Sequence, residues 1–138
     1  MELCKIKKAK SISALGLAYI GDAVFELLVR DRIINLKEGS VNKMHKTAAT
    51  YVNADAQSKM YHMLLDIITE EEEGVLKRGR NAKSFTKPKN KRVTSYRHAT
   101  GLEALFGYLY IKNDQQRINF LFEKCVSCVE ELIDGPVD

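Results

Sequence analysis

Asp22, Glu26 and Arg30 interrupt an otherwise apolar stretch that begins at Leu15. They lie four residues apart, so on a helix they share one face. Desolvating a carboxylate without a partner is expensive. Asp22 is therefore paired, or beside a cleft, or holding a cation. A second apolar stretch, Thr100 to Ile111, carries one acid, Glu103, the only Asp or Glu between Glu73 and Asp114. Small residues accompany both acids: Gly21 and Ala23 beside the first, Ala104 and Gly107 beside the second. Small residues let helices approach closely, and a crossing at these points brings Asp22 and Glu103 together. Two convergent carboxylates suit a hard cation, most simply Mg²⁺, which binds through one or two carboxylates and keeps its waters.

The charge that would complement such a site follows in the chain. Between Lys77 and Arg97 stand Lys77, Arg78, Arg80, Lys83, Lys87, Lys89, Lys91, Arg92 and Arg97, with no acid among them. A one-signed run of this length attracts a polyanion, and we read it as a nucleic-acid contact rather than a solvated basic loop. Other suggestive groups have plainer readings. Glu70 to Glu73 open a helix, where acids complement the dipole, and Thr69 with Glu72 has the spacing of a capping box. Cys125 and Cys128 form a lone C-x-x-C within a helical pattern, while His45, His62 and His98 are scattered along the chain. That spacing argues against zinc and for reduced thiols. Glu26 either supports Asp22 from one turn away or pairs with Arg30.

These residues need a scaffold. The 138 residues, with a net charge of +4, suit a single domain spanning 1–138 with a real core. No apolar run is long enough to cross a membrane, and the N-terminus lacks the apolar region of a signal peptide, so the cytoplasm is expected. Residues 1–10 read as a loose arm or short turn. Ser11 or Ser13 can cap a first helix ending near Leu36; it is apolar almost all round, which predicts burial within the domain. Ser40 starts a second helix over about 41–52, and Asn53 or Asp55 caps a third with a stripe of Ala56, Met60, Met63, Leu64 and Ile67. The helix after Thr69 leads into a basic loop at about 81–93, a length usually functional or mobile. Thr94 or Ser95 can cap the helix carrying Glu103. An amphipathic helix over 115–133 ends the domain, with a tail expected to fray. The sum is an all-α fold of about six or seven helices.

At this point the motifs are recognisable. Gly21-Asp22-Ala23-Val24 resembles the signature of the ribonuclease III catalytic domain, and Leu102-Glu103-Ala104-Leu105-Phe106-Gly107 resembles its second acidic motif. Val75-Leu76-Lys77-Arg78-Gly79-Arg80-Asn81 resembles the basic segment between them. The resemblance covers nearly the whole chain in the right order, with no double-stranded-RNA-binding domain after it, and is nearest to the short Mini-ribonuclease III form. It implies a ribonuclease III-like endonuclease fold and a homodimeric, Mg²⁺-dependent endoribonuclease that cuts double-stranded RNA. For the short form it also implies maturation of the ends of 23S ribosomal RNA precursor in the bacterial cytoplasm. Asp22 and Glu103 would be the catalytic and metal-holding residues; from its helix spacing alone Glu26 would stand behind them or pair with Arg30, and from their charge the nine Lys and Arg would be the RNA contacts.

The departures are specific. Full-length ribonuclease III has further acids four and seven residues before the signature Asp, where this chain has Ala18 and Leu15. It has an Asp three residues before the Glu of the second motif, where this chain has Thr100. Two carboxylates and mostly water would therefore hold the ion. The Leu15–Phe25 region is the candidate dimer face, since two identical sites can address the two strands of a duplex. Two other readings stay open: a non-catalytic double-stranded-RNA-binding scaffold of the same fold, and a metal-dependent phosphohydrolase of small nucleotides. The sequence also leaves open the cleavage position and whether a ribosomal protein assists.

Overall fold

A computed structural model describes residues 9–36, 39–83 and 92–133, with the backbone alone at 92, 132 and 133. A 3₁₀ turn, Ala9–Ser11, leads into six helices: α1 (Ala14–Asn35), α2 (Val41–Val52), α3 (Ala54–Leu64), α4 (Glu70–Asn81), α5 (Arg92–Ile111) and α6 (Gln115–Ile133). Among the described residues there is no strand. The all-α fold expected from the sequence is the fold observed.

Side-chain oxygens start most of these helices by accepting from otherwise unpaired N–H groups. The Ser13 hydroxyl accepts from the Gly16 N–H at 3.0 Å. Ser40 does the same for Lys43 at 3.2 Å, and Asn53 for Ala56 at 2.8 Å. Thr69 and Glu72 form the expected reciprocal capping box, at 3.1 and 2.9 Å. Between α5 and α6, Asn113 takes the left-handed conformation (φ 61°) that its short polar side chain tolerates. Asp114 then accepts from the Arg117 N–H at 3.2 Å to start α6.

α5 is the axis of the domain. Leu102, Ala104, Leu105, Phe106, Tyr108 and Leu109 are all buried along it, and α1, α3 and α4 pack around it. The Phe25 ring meets Phe106 and Phe122 edge-on at 5.5 and 5.7 Å, joining α1, α5 and α6 in one core. Cys125 and Cys128 are buried free thiols, and burial pushes both above the usual thiol range. Arg117 on α6 reaches back to Glu72, its Nε and Nη2 donating to the two carboxylate oxygens at 2.8 Å each. Burial alone would raise the Glu72 pKa, but the bonds from Arg117 and Thr69 outweigh it and hold the group low.

Three expectations need correction. α1 is not buried all round: Leu17, Phe25, Val29 and Ile33 enter the core, whereas Tyr19 is 84 % exposed and Leu27 68 %. One side packs on α5, and among the described residues nothing covers the other. Thr94 and Ser95 do not cap α5 but lie inside its first turn, because the helix already runs from Arg92. Of the segment expected as a basic loop at about 81–93, Asn81 belongs to α4 and Arg92 and Val93 to α5. Residues 84–91, including Lys87, Lys89 and Lys91, lie outside the described residues, as do the arm at 1–8 and the tail at 134–138.

Candidate active site

The crossing of α1 and α5 is backbone against backbone. A Cβ on Gly21 would fall inside the shell of the Glu103 carbonyl, and would lie 2.8 Å from the Gly107 nitrogen. A Cβ on Gly107 would fall inside that of the Leu17 carbonyl and lie 2.9 Å from Ile20. Glycine at both positions is what allows the approach. The residue after Gly21 and the residue four before Gly107 are the two carboxylates.

Asp22 is exposed at the surface of α1, whereas Glu103 is largely buried. The two carboxyl groups are joined by a hydrogen bond, and Glu103 is pushed up to about 8, first by burial and then by that bond and by the charge of Asp22. Glu103 therefore keeps a proton at neutral pH and donates it toward Asp22, as like charges at close quarters require. That proton stands where a cation would do the same work. With both groups ionised, the pair is acceptor-only and suits a hard, oxygen-seeking divalent ion. Among the described residues no third His, Cys, Asp or Glu joins them to complete a metal cluster. Water would fill the remaining positions.

The neighbouring candidates separate cleanly. Glu26 accepts from the Arg30 Nε at 3.1 Å, so the Glu26–Arg30 pair forms on α1, one turn from Asp22. The Thr100 hydroxyl donates to the Tyr96 carbonyl at 3.0 Å along its own helix and is buried. Ala18 is buried and Leu15 exposed, and neither brings an acid.

α4 crosses α5 by the same device. A Cβ on Gly79 would lie 2.7 Å from the Ala104 Cβ and 2.9 Å from the Gly101 Cα. One on Gly101 would lie 2.6 Å from the Leu76 carbonyl oxygen. This crossing falls within a turn of Glu103 along α5 and sets the C-terminal end of α4, with its basic residues, against that helix. Lys77 pairs with Glu73 at 3.4 Å. Arg78, Lys83 and Arg97 are exposed. Arg80 is half-buried; its Nε donates to the Asn81 Oδ1 at 3.0 Å and its Nη1 to the Tyr61 hydroxyl at 3.0 Å. Arg92 contributes to the first turn of α5.

What holds Arg80 is not visible in the sequence. His62 and His98 are not scattered: their rings meet at 4.6 Å. His98 also stacks on Tyr61 at 4.4 Å and shares a 2.7 Å hydrogen bond with the Ser58 hydroxyl. Burial first, then His62 and Arg80, hold the His98 imidazole below its usual range. Only the four-residue spacing of Ser58 and His62 on α3 hinted at this cluster; its other half comes from α5.

Comparison with known proteins agrees with the geometry. Residues 15–114 match the model of the ribonuclease III domain. The chain is 43 % identical over 130 residues to the Mini-ribonuclease 3 of Thermoanaerobacter sp. (strain X514), covering 94 % of this chain and 92 % of that protein. It is 44 % identical over 124 residues to the Mini-ribonuclease 3 of Enterococcus faecalis, covering 88 % and 94 % of the two. A crystal structure of a Fusobacterium nucleatum protein superposes with a TM-score of 0.73 at 30 % identity, over 83 % of this chain and 92 % of that one. Both acidic motifs fall inside the matched region, on the two helices that the glycines bring together. This chain belongs to the ribonuclease III domain family, as an endoribonuclease of the Mini-ribonuclease 3 type.

Proposed function

We propose that this endoribonuclease cuts double-stranded RNA with Mg²⁺ held by Asp22 and Glu103, and that its cellular task is to mature the ends of 23S ribosomal RNA precursor. The observation that carries the proposal is the hydrogen-bonded pair itself: a largely buried Glu103 aligned on Asp22 where two helices touch. When bound, the ion supplies Lewis-acid stabilisation of charge at the scissile phosphate and a more acidic attacking water. The chain's own residues do the rest. Glu103 gives up its proton so that both carboxylates are anionic, and the α1–α5 crossing fixes their spacing. The exposed cations of α4 and α5 lie along phosphates, because the narrow major groove of an RNA duplex cannot be read by side chains. The rRNA substrate rests on the likeness to Mini-ribonuclease 3, and a cytoplasmic setting accords with free thiols and with the lack, among the described residues, of any helix long and apolar enough to cross a membrane.

Incubating the purified protein with a long RNA duplex tests this reading. Discrete products in Mg²⁺ and none in EDTA are the expected result. Intact duplex in both, with salt-sensitive binding retained, would sink it in favour of a scaffold, once a folded ribosomal precursor had given the same answer.

A homodimer is part of the proposal. Within the expected Leu15–Phe25 region, Leu17 and Phe25 are spent on the chain's own core. The surface left over is Leu15, Tyr19 and Ala23, continued by Leu27 and Ile34 along the same helix. It opens beside an apolar hollow of about 180 Å³ between α1 and α2, lined by Ile33, Ile34, Val41 and Met44. A stripe of this kind marks an interaction surface, and twofold pairing across it sets two Asp22–Glu103 sites on one assembly. Leu27→Glu is expected to convert the protein to a monomer in sedimentation equilibrium and to cut duplex cleavage by about tenfold or more, since burying an unpaired carboxylate at the interface costs several kcal/mol. A Leu27→Glu protein that remains dimeric would place the interface elsewhere.

A further inference from the structure

We propose that Tyr61 is a positioning residue for the RNA, its hydroxyl fixing the Arg80 guanidinium to grip a phosphate of the duplex. The inference rests on the nuclease reading above and names one phosphate contact of that site and the group that prepares it. Among the described Lys and Arg of the basic segment, Arg80 is the one tethered by uncharged partners, the Tyr61 hydroxyl and the Asn81 amide oxygen, each at 3.0 Å. Lys77 is tied to a carboxylate instead. Neutral partners order a guanidinium without cancelling its charge. Among the described residues these partners occupy only Nε and Nη1, which leaves the Nη2 end of the fork for phosphate oxygens.

The tether is itself anchored. Tyr61 is buried, with its ring stacked on His98 at 4.4 Å and 25°. His98 is buried in turn and bonded to Ser58 at 2.7 Å. His62 closes the cluster edge-on, at 5.4 Å from Tyr61 and 4.6 Å from His98. A Cβ on Gly101 would lie 3.2 Å from both the Arg80 backbone nitrogen and the Tyr61 Cε2, so the glycine of α5 is what lets α3 and α4 meet there. Three helices thus converge to hold one arginine at the root of the segment that carries the other cations. A free arginine side chain loses rotamer entropy when it is pinned. Here that cost is met on folding rather than on binding, which is how preorganisation raises affinity.

A double-mutant cycle on duplex binding in EDTA, with cleavage in Mg²⁺ measured on the same preparations, tests the proposal. Arg80→Ala is expected to weaken binding about tenfold and to lower the slope of log Kd against log salt by about one phosphate's worth. Tyr61→Phe, which keeps the buried ring, is expected to weaken binding about fivefold with the salt slope intact, to raise KM and to leave kcat at saturating duplex near the parent value. The double variant should bind no worse than Arg80→Ala alone. Arg80→Lys keeps the charge but not the fork, and should resemble Tyr61→Phe even if the tyrosine variant folds poorly. Equal weakening by Tyr61→Phe with and without Arg80, or none at all, overturns the positioning role. An Arg80→Ala protein with unchanged affinity and slope removes Arg80 from the RNA and the proposal with it, whereas loss of Mg²⁺-dependent cleavage by the parent protein is the separate failure of the nuclease reading.

Discussion

Glu103→Gln is expected to stop RNA cleavage and, in the same molecule, to make the metal-free protein more stable at pH 8 and above. The two effects have one cause. Glu103 is largely buried beside Asp22 and is pushed up to about 8 in the fold, against 4.5 for an ordinary glutamate. Below about pH 4.5 both folded and unfolded chains carry the proton, and the site costs nothing. Between pH 4.5 and 8 the unfolded chain releases the proton while the folded chain keeps it, so stability falls as pH rises across that window. Above 8 the fold holds two carboxylates against each other, at a total cost on the order of 5 kcal/mol. A glutamine amide presents the same N–H toward Asp22 that the protonated acid presents as O–H, and it presents it at every pH.

Melting curves in EDTA from pH 5 to pH 9 would display this. Parent and variant should start close together at the acid end and diverge with pH, the variant melting about 10 °C higher at the alkaline end. Adding Mg²⁺ should close the gap, because the ion stabilises only the protein with both carboxylates. Cleavage should fall by about 10³-fold, equivalent to about 4 kcal/mol of lost transition-state stabilisation. A variant that melts below the parent at pH 9 in EDTA would mean that Glu103 serves the fold rather than a metal. Active sites commonly carry this trade of stability for function.

The convergence of Asp22 and Glu103 was legible because each of its components is local. An acid inside an apolar helical stretch is visible in the sequence, and so are the small residues beside it. The same holds for Thr69 with Glu72, and for α6, whose expected limits match Gln115–Ile133. What could not be read were contacts between residues far apart. Nothing in the glutamates of α4 announces that Arg117, 45 residues on, will grip Glu72. Nothing in Tyr61 announces that Arg80 will reach it. α5 starts earlier than its sequence suggests, because Thr94 and Ser95 are good caps in isolation and a helix that already runs from Arg92 overrides that preference. The exposed stripe of α1 was hidden for the opposite reason. Apolar composition reports that a face will be covered, not whether its own chain or another covers it.

Gly21→Ala is expected to destabilise the protein by about 3 kcal/mol or more, whereas Gly74→Ala, the same change on another helix, should stabilise it. In an open helix alanine is favoured over glycine by about 1 kcal/mol. Gly74 sits in such a place, its added Cβ meeting nothing nearer than the flexible end of Arg78 at 4.0 Å. Gly21 does not: the methyl would land on the Glu103 carbonyl and 2.8 Å from the Gly107 nitrogen, and backbone cannot swing aside. The two helices must part, and overpacking of this kind outweighs the gain in propensity. In a domain of this size the melting temperature should fall by about 10 °C for Gly21→Ala and rise by a few degrees for Gly74→Ala. Parting α1 from α5 also parts Asp22 from Glu103, and a displacement of about 1 Å at a catalytic pair costs about 10²-fold in rate. Cleavage should therefore drop far more than the remaining folded fraction explains, whereas Gly74→Ala leaves it unchanged. Equal melting temperatures for the two alanine variants would refute the close crossing, and with it the geometry that brings the carboxylates together.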